Sequence, residues 1–191
     1  CSSTTKEPGD GPEPLTTRAF AEDFVERAPY PAIEASPTAW EAFGMAYRWE
    51  DAARNQEDAA AREEHLLQAL AFRHAGLQLA PDERIEHHRY QVHLAWIGQR
   101  RAEYLDRLLG EYTQAWQRTP HDALRCYLYG RALGFVGEIA AAIQAYQRGL
   151  AVAPDDYWLN LALGVAAFQT ERADLALRHL EHAAELGLGL G

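Results

Sequence analysis

Residues Asp122–Pro154 read DALRCYLYGRALGFVGEIAAAIQAYQRGLAVAP and decide the fold of this chain. Small residues stand where two helices would touch, and large apolar residues stand where one helix would insert side chains into the other. The small residues are Gly130, Ala142 and Gly149, and the large ones are Tyr129, Leu133 and Tyr146. Because Pro154 ends the second apolar stretch, the segment predicts two antiparallel helices joined by a short turn.

The same stretch resembles one repeat of the tetratricopeptide family. The family pattern places Trp, Leu, Gly and Tyr on a first helix and Ala and Phe on a second, and a Pro follows the second helix. The matching signature here is Cys126-x2-Tyr129-Gly130-x2-Leu133, then Ala142-x3-Tyr146 and Pro154. The resemblance implies an all-α solenoid of about four helical hairpins over residues 36–191.

A first copy of the repeat opens with Trp40-x2-Phe43-Gly44-x2-Tyr47. The stretch that follows is longer than the family spacing and contains neither Gly nor Pro over residues 48–64. We therefore predict two lengthened helices with a turn near Asn55, and one continuous helix is the alternative.

Two further copies are less regular. In the second copy the signature positions hold Val92, Ala95 and Trp96, and an indole in place of glycine is expected to hold its two helices apart. The fourth copy keeps Leu163, Gly164, Ala176 and Leu180. At the junctions between copies, a proline is expected to end one helix and an aspartate to cap the next; these aspartates are Asp82, Asp122 and Asp155-Asp156.

The N-terminal stretch differs in composition from the repeats. Cys1 is followed by polar residues rich in Pro and Gly, which favour a flexible tether over residues 1–15. A leading cysteine with such a linker resembles a processed bacterial lipoprotein, which implies covalent lipid on Cys1 and, with Ser2 next, an outer membrane location facing the periplasm. The alternative is that the numbering simply begins at a cysteine. Residues 16–35 are expected to cap the open end of the array.

Composition and motifs exclude several classes of function. The net charge of -10 and the lack of a basic stripe argue against nucleic-acid binding, and no apolar run reaches the length of a membrane span. Haem, phosphate-loop, hydrolase and zinc-protease motifs are missing. We therefore predict no enzyme, no cofactor beyond the lipid and no small-molecule substrate. Cys126 is expected to be a buried thiol.

The eight histidines raise the question of a metal site. His87 and His88 are adjacent, so on a helix their side chains diverge by about 100°. His179 and His182 are three residues apart, but only Glu185 stands near them as a third ligand. A metal site needs three or four converging ligands, so we predict none, although metal or ligand binding by the histidine-rich helices remains an alternative function.

The concave groove is the predicted site. In the family that this chain resembles, the first helix of each hairpin lines the inner surface, which implies the following positions: Tyr90, His93 and Ile97; Tyr127, Arg131 and Phe135; Trp158, Leu161 and Val165. The Lys and Asn residues of the carboxylate-clamp subfamily are missing. Aromatic and apolar residues with one arginine suit a hydrophobic segment or an amphipathic helix. The alternative is that these side chains pack on their own helices or on the N-terminal segment.

These observations predict a lipid-anchored scaffold that binds another protein at the periplasmic face of the outer membrane. Lipoproteins of this build serve as pilotins, as assembly factors or as adaptors, so the resemblance implies a protein partner in an envelope complex. A permanent structural subunit of such a complex is the main alternative. It is favoured by the apolar face expected on the last helix at Leu175, Leu177 or Leu180.

Overall fold

The computed structural model describes Tyr30 and residues 38–188. In that part of the chain, eight helices follow one another and no residue belongs to a strand, so the all-α prediction is confirmed. The helices are α1 (Ala39–Arg54), α2 (Ala59–Leu79), α3 (Arg84–Gly98), α4 (Glu103–Arg118), α5 (Ala123–Phe135), α6 (Ile139–Val152), α7 (Tyr157–Gln169) and α8 (Ala173–Leu188). Cys1, the tether over 1–15 and the cap over 16–35 lie outside the described residues, except for Tyr30.

The helices form four hairpins, α1/α2, α3/α4, α5/α6 and α7/α8, and each helix also packs against the next along the chain. The odd-numbered helices meet one another as well, α3 with α5 and α5 with α7. They therefore share one side of the array, which is the geometry of a curved solenoid. One cluster of buried apolar side chains runs through the four hairpins, from Phe43 in α1 to Leu163 in α7.

Side-chain caps explain where several helices begin. Thr38 and Glu41 form a capping box at the start of α1, and Asp58 caps α2 by accepting from the Ala61 N–H at 2.8 Å. The predicted turn lies at Asn55, the residue that follows α1. Two separate helices therefore occupy this stretch, and the alternative of one continuous helix is wrong.

Two of the three predicted aspartate caps between repeats are present. Asp122 accepts from the Arg125 N–H at 2.7 Å, and Asp156 accepts from the Leu159 N–H at 2.9 Å. Asp82 does not cap α3, because it lies one residue before the N-cap position, which Glu83 holds. Its carboxylate accepts instead from the Arg125 guanidinium at 2.6 Å.

One contact recurs at the start of α3, α5 and α7 and defines the register of the repeats. In each helix a side chain hydrogen-bonds the carbonyl of the proline six residues earlier: His87 to Pro81 at 2.9 Å, Cys126 to Pro120 at 3.4 Å and Asn160 to Pro154 at 2.8 Å. These prolines mark the ends of the repeats. The second repeat, which ends at Pro120, is therefore longer by five residues than the third, which ends at Pro154.

The longer second repeat corrects its predicted register. Gln91 takes the place that Gly130 has in α5, and the prediction that put Trp96 there is wrong by five residues. Trp96 is half-buried, and the two helices of the second hairpin pack less closely than those of the other three hairpins. The close approach of α3 to the following helix falls at Gly98, where a Cβ atom would lie 2.5 Å from Cγ of Leu105.

The core contains one buried charged cluster. Arg73 stands eight residues before the proline that ends its hairpin, which is the place of Tyr112 in α4 and of Tyr146 in α6. Its side chain is fully buried, and its guanidinium pairs with Glu50 of α1 and, at 2.8 Å, with Glu86 of α3. Where the later hairpins insert an aromatic ring, the first hairpin therefore inserts an ion pair network.

Candidate partner-binding groove

A cavity of about 440 Å³ lies on the side of the array that the odd-numbered helices share. Its walls come from α5 and α7, and its floor comes from α6. The wall residues include Tyr127, Arg131, Phe135, Trp158, Leu161 and Val165, and the floor residues are Ile139, Ala142 and Tyr146. Six of the nine residues predicted from the sequence thus line one groove.

Helical spacing brings these side chains together. Tyr127, Arg131 and Phe135 follow one another at intervals of four residues, so they lie on one face of α5. The deep residue Tyr127 is 2% exposed, whereas the rim residues Phe135 and Val165 are 38% and 44% exposed. Of the floor residues, Ala142 and Tyr146 are also buried, so the rim presents the most exposed apolar surface of the groove to a second molecule.

The three predicted groove residues of the second repeat lie elsewhere. Tyr90 and Ile97 are buried at 1% and 0% exposure, and the Tyr90 hydroxyl donates to Glu111 at 2.8 Å. His93 lies 3.3 Å from a Glu50 carboxylate oxygen, beside the buried charged cluster. These residues pack on their own neighbouring helices, which was the alternative interpretation, and the groove assignment is corrected accordingly.

Sequence reasoning missed His88, whose ring contacts the groove residues Tyr127 and Trp158. Counted from Pro81, His88, Val92 and Trp96 take the places that Tyr127, Arg131 and Phe135 take counted from Pro120. Val92 and Trp96 are not among the residues that line the cavity, and Val92 is 46% exposed. The proline at the end of each hairpin was the available signal, because counting from it gives the correct register where a fixed repeat length does not.

His88 links α3 to both walls of the groove. Its ring centroid lies 5.4 Å from that of Tyr127 and 5.1 Å from that of Trp158, and its buried Nε2 atom makes no hydrogen bond to a described residue. Burial lowers the pKa of His88 to about 4, and the charges of Arg131 and Arg84 add to the effect. His88 is therefore neutral at pH 7.

An ion pair joins α3 to α7 across α5. The Arg84 guanidinium donates to both carboxylate oxygens of Asp156, at 3.2 and 2.9 Å. Burial alone would raise the pKa of Asp156, but the bonds from Arg84 and from the Leu159 N–H hold it below its ordinary value. In a solenoid most contacts join neighbours, so this pair, which skips one hairpin, helps to set the curvature of the groove.

Loss of the Arg84–Asp156 pair is expected to open the array. Arg84→Met should lower the free energy of unfolding by about 1–2 kcal/mol, because the pair is partly buried and bidentate. Spin labels at Val92 of α3 and Val165 of α7, which are both exposed, should also move apart. The control is Arg125→Met, which breaks the pair between Arg125 and the exposed Asp82. A label distance that changes equally in both variants, or in neither, would contradict the prediction.

Three histidines make the stability of the array depend on pH. Burial is the main cause that lowers the pKa values of His87, His88 and His93 to about 4, whereas an unfolded chain has a histidine pKa near 6.5. As pH falls from 6.5 towards 4, the unfolded chain binds protons that the folded chain does not. Urea denaturation at pH 5 should therefore show roughly 1 kcal/mol less stability per histidine than at pH 7.5, after allowance for partial exposure.

Single His→Gln variants provide the check on this pH dependence. Each variant should lose part of the difference between pH 7.5 and pH 5, because Gln binds no proton in either state. The control is His121→Gln, since His121 is exposed in the loop before α5. If stability is unchanged between pH 7.5 and pH 5, the three buried rings do not oppose protonation as inferred here.

His179, His182 and Cys126 have structural partners. His179 bonds Asn160 at 2.9 Å, and His182 bonds Asp155 at 3.1 Å. Among the described residues, no group of three or more His, Cys, Asp or Glu side chains is placed to hold a metal ion. Cys126 is fully buried, as predicted, and burial raises the pKa of its thiol. None of these side chains lines the groove.

Tyr30 packs on the array away from the groove. Its hydroxyl hydrogen-bonds that of Tyr90, and the Arg107 guanidinium lies 3.5 Å from its ring centroid. The Tyr30 ring also lies 5.4 Å from that of His74 in α2. This one residue of the predicted N-terminal cap therefore contacts α2, α3 and α4.

Over residues 38–188, no helix combines the length and apolar character needed to cross a bilayer.

Comparisons with known proteins show only a general structural similarity. No protein-family model and no curated protein matches the chain. Among solved structures, MamA AMB-1 is 17% identical, with a TM-score of 0.48 over 89% of this chain and 98% of that one. MamA of Desulfovibrio magneticus RS-1 is 19% identical, with a TM-score of 0.46 over 83% and 98%. At these values the likeness carries no argument about function, and the tetratricopeptide-like architecture follows from the helix hairpins described above.

Proposed function

We propose that this chain is a scaffold that binds another protein in the groove between α5 and α7, and that lipid on Cys1 holds it at the outer membrane. The groove carries the first part of this proposal. It is concave, its floor is buried, and its rim exposes Phe135 and Val165. Apolar surface in such a setting is typical of sites for a hydrophobic segment or the apolar face of a helix.

The lining of the groove supports binding rather than catalysis. Apart from tyrosine hydroxyls, Arg131 is the one ionisable side chain among the lining residues. A nucleophile with an adjacent base, or a pair of carboxylates, is what acid–base or covalent catalysis requires. The groove residues supply neither, so the chemistry that they offer is apolar contact, aromatic contact and one positive charge.

Site-specific photo-cross-linking in the native cell tests the groove. A benzophenone amino acid at Phe135 or at Val165 should form an adduct of the same mass, because both positions lie on one rim. The matched control is Val152, which is 53% exposed on α6 and does not line the groove. Adducts that form equally from Val152, or from neither rim position, would overturn the proposal.

The lipid anchor has a separate test. Mass spectrometry of the N-terminal peptide, taken from protein purified from its native membranes, should find acyl chains on Cys1. Cys1→Ser should release the chain into the soluble fraction, since the attached hydrocarbon supplies the membrane affinity. An unmodified Cys1 on membrane-derived protein would remove the anchor from the proposal and leave the groove unaffected.

The exposed apolar residues of the last hairpin favour a second candidate function, that of a permanent subunit. Phe168 of α7 is 72% exposed and Leu177 of α8 is 58% exposed, whereas Leu175 and Leu180 are half-buried against the array. A surface that is covered permanently should make the isolated chain self-associate. Light scattering of the purified protein distinguishes the two functions. A reversible scaffold should be monodisperse as the unchanged chain, whereas a permanent subunit should self-associate unless Phe168→Ser and Leu177→Ser are introduced.

A further inference from the structure

We propose that the groove selects a segment in which apolar side chains flank one Asp or Glu, and that Arg131 binds the carboxylate of that residue. This inference rests on the proposed function, because it names the chemistry of the partner for the same groove. Three observations carry it: the missing counter-charge of Arg131, the hydrogen bonds that orient its guanidinium, and the apolar walls on both sides of it.

The first observation is that Arg131 has no acidic partner within the described residues. Its contacts among residues 38–188 are with Gln91, Tyr127 and Phe135, and none is with a carboxylate, although the chain has 28 acidic residues and only 18 Lys and Arg. The neighbouring Arg84 is neutralised by Asp156, and His88 is neutral at pH 7 because burial lowers its pKa to about 4. Among the residues that line the groove, one positive charge therefore stands without a described counter-charge, and one carboxylate would match it.

The second observation is that Arg131 is oriented before any partner arrives. Its Nε donates to Oε1 of Gln91 at 2.9 Å, and Nε2 of Gln91 donates to the Leu128 carbonyl at 2.8 Å. Gln91 is fully buried, so this short chain of hydrogen bonds is rigid. The guanidinium also lies 5.8 Å from the Tyr127 ring centroid and 5.6 Å from that of Phe135. A pre-oriented arginine loses less entropy when it binds a carboxylate through its planar fork.

The third observation indicates a side-chain carboxylate rather than a chain terminus. Arg131 stands in the middle of the α5 wall, with Tyr127 one turn before it and Phe135 one turn after it. On α7, Leu161 and Val165 likewise extend the apolar lining. Since the walls continue in both directions, a bound segment runs past Arg131, and its acidic residue lies between apolar residues on either side.

Peptide selection tests this inference with the intact chain. Random dodecapeptides, displayed on phage so that their C-termini are fused and carry no free carboxylate, are selected against the wild-type protein. We expect enriched peptides with one Asp or Glu between Leu, Phe or Trp residues. The best peptide is then synthesised with an amidated C-terminus, together with its Glu→Gln or Asp→Asn form, and titrated by calorimetry.

Matched variants identify the role of Arg131. Arg131→Met and the Glu→Gln or Asp→Asn peptide should each weaken binding roughly 10- to 100-fold, the range for a hydrogen bond to a charged group. Gln91→Glu should weaken binding as well, because it supplies an internal carboxylate 2.9 Å from Nε while leaving Arg131 in place. Arg148→Met is the control, since Arg148 lies over Trp116 outside the groove. Circular dichroism confirms that each variant is folded.

The outcomes of these experiments separate this inference from the proposed function. Enriched peptides that are neutral or basic, that need a free C-terminus, or that bind Arg131→Met as tightly as wild type would overturn the acidic segment. The acidic segment would also be overturned if no enriched peptide bound more weakly when Val165 is substituted. If cross-linking at Phe135 and Val165 still captures one partner in those cases, the groove binds protein and only the chemistry assigned to its occupant is wrong.

Discussion

Arg73→Met is expected to lower the free energy of unfolding by about 3–5 kcal/mol, the cost of breaking a buried ion pair network by removing one partner. The Arg73 side chain is fully buried between Glu50 and Glu86, which are 5% and 6% exposed. Without the guanidinium, two carboxylates remain in the core with little solvent to stabilise their charge. Urea denaturation at pH 7.5, followed by circular dichroism, measures the loss.

Two further variants show whether the loss comes from the uncompensated charges. Adding Glu50→Gln and Glu86→Gln to Arg73→Met should recover a large part of the stability, since the neutral triad leaves no buried charge. Arg89→Met should cost less than about 1 kcal/mol, because Arg89 is 43% exposed and contacts Glu50 only at 3.3 Å. Similar losses for Arg73→Met and Arg89→Met would mean that burial does not control the strength of these pairs.

Gly130→Ala and Gly44→Ala are expected to change stability in opposite directions. At Gly130 a Cβ atom would lie 2.3 Å from Cε1 of Tyr146, a ring on the floor of the groove, so the helix pair must shift at a cost of about 1–3 kcal/mol. At Gly44 a Cβ atom would meet nothing within 4 Å, and replacing a glycine inside a helix should add about 0.5–1 kcal/mol.

Thermal unfolding of the two variants side by side measures the difference, and both helices should remain intact by circular dichroism. Gly130→Ala should also weaken whatever binds the groove, since Tyr146 must move, whereas Gly44→Ala should leave binding unchanged. A loss of stability for both variants would show that Gly44 has the same close contact as Gly130 and would contradict the register described here for α1.

Several parts of the fold could be predicted because they depend on neighbours in the chain. A proline is not tolerated in the interior of a helix, so Pro120 and Pro154 mark hairpin boundaries without any knowledge of tertiary contacts. Asp122 and Asp156 cap their helices because the acceptor and the N–H group lie three residues apart. The turn at Asn55 was predictable for the same reason, since the first repeat is too long for the family spacing.

The groove could be predicted where the repeat is regular and not where it is irregular. Six residues line it, on the faces of α5 and α7 that were predicted for the third and fourth repeats. The second repeat is longer by five residues, and there the predicted positions Tyr90 and Ile97 fall in the core, whereas His88 was missed. Each residue of error in the assumed register moves a predicted position by about 100° around the helix, which exchanges buried and exposed faces.

The amino-acid sequence by itself determined the all-α class, the four hairpins and most of the helix ends, because helix periodicity, caps and prolines act over a few residues. Only the tertiary structure decided that Gly130 lies in close contact with another helix. It also decided that Arg73 is buried among carboxylates and that Arg131 has no carboxylate partner among the described residues. Arg73 and Arg131 look alike in the sequence. Their surroundings come from residues up to 40 positions away, brought together when the hairpins stack.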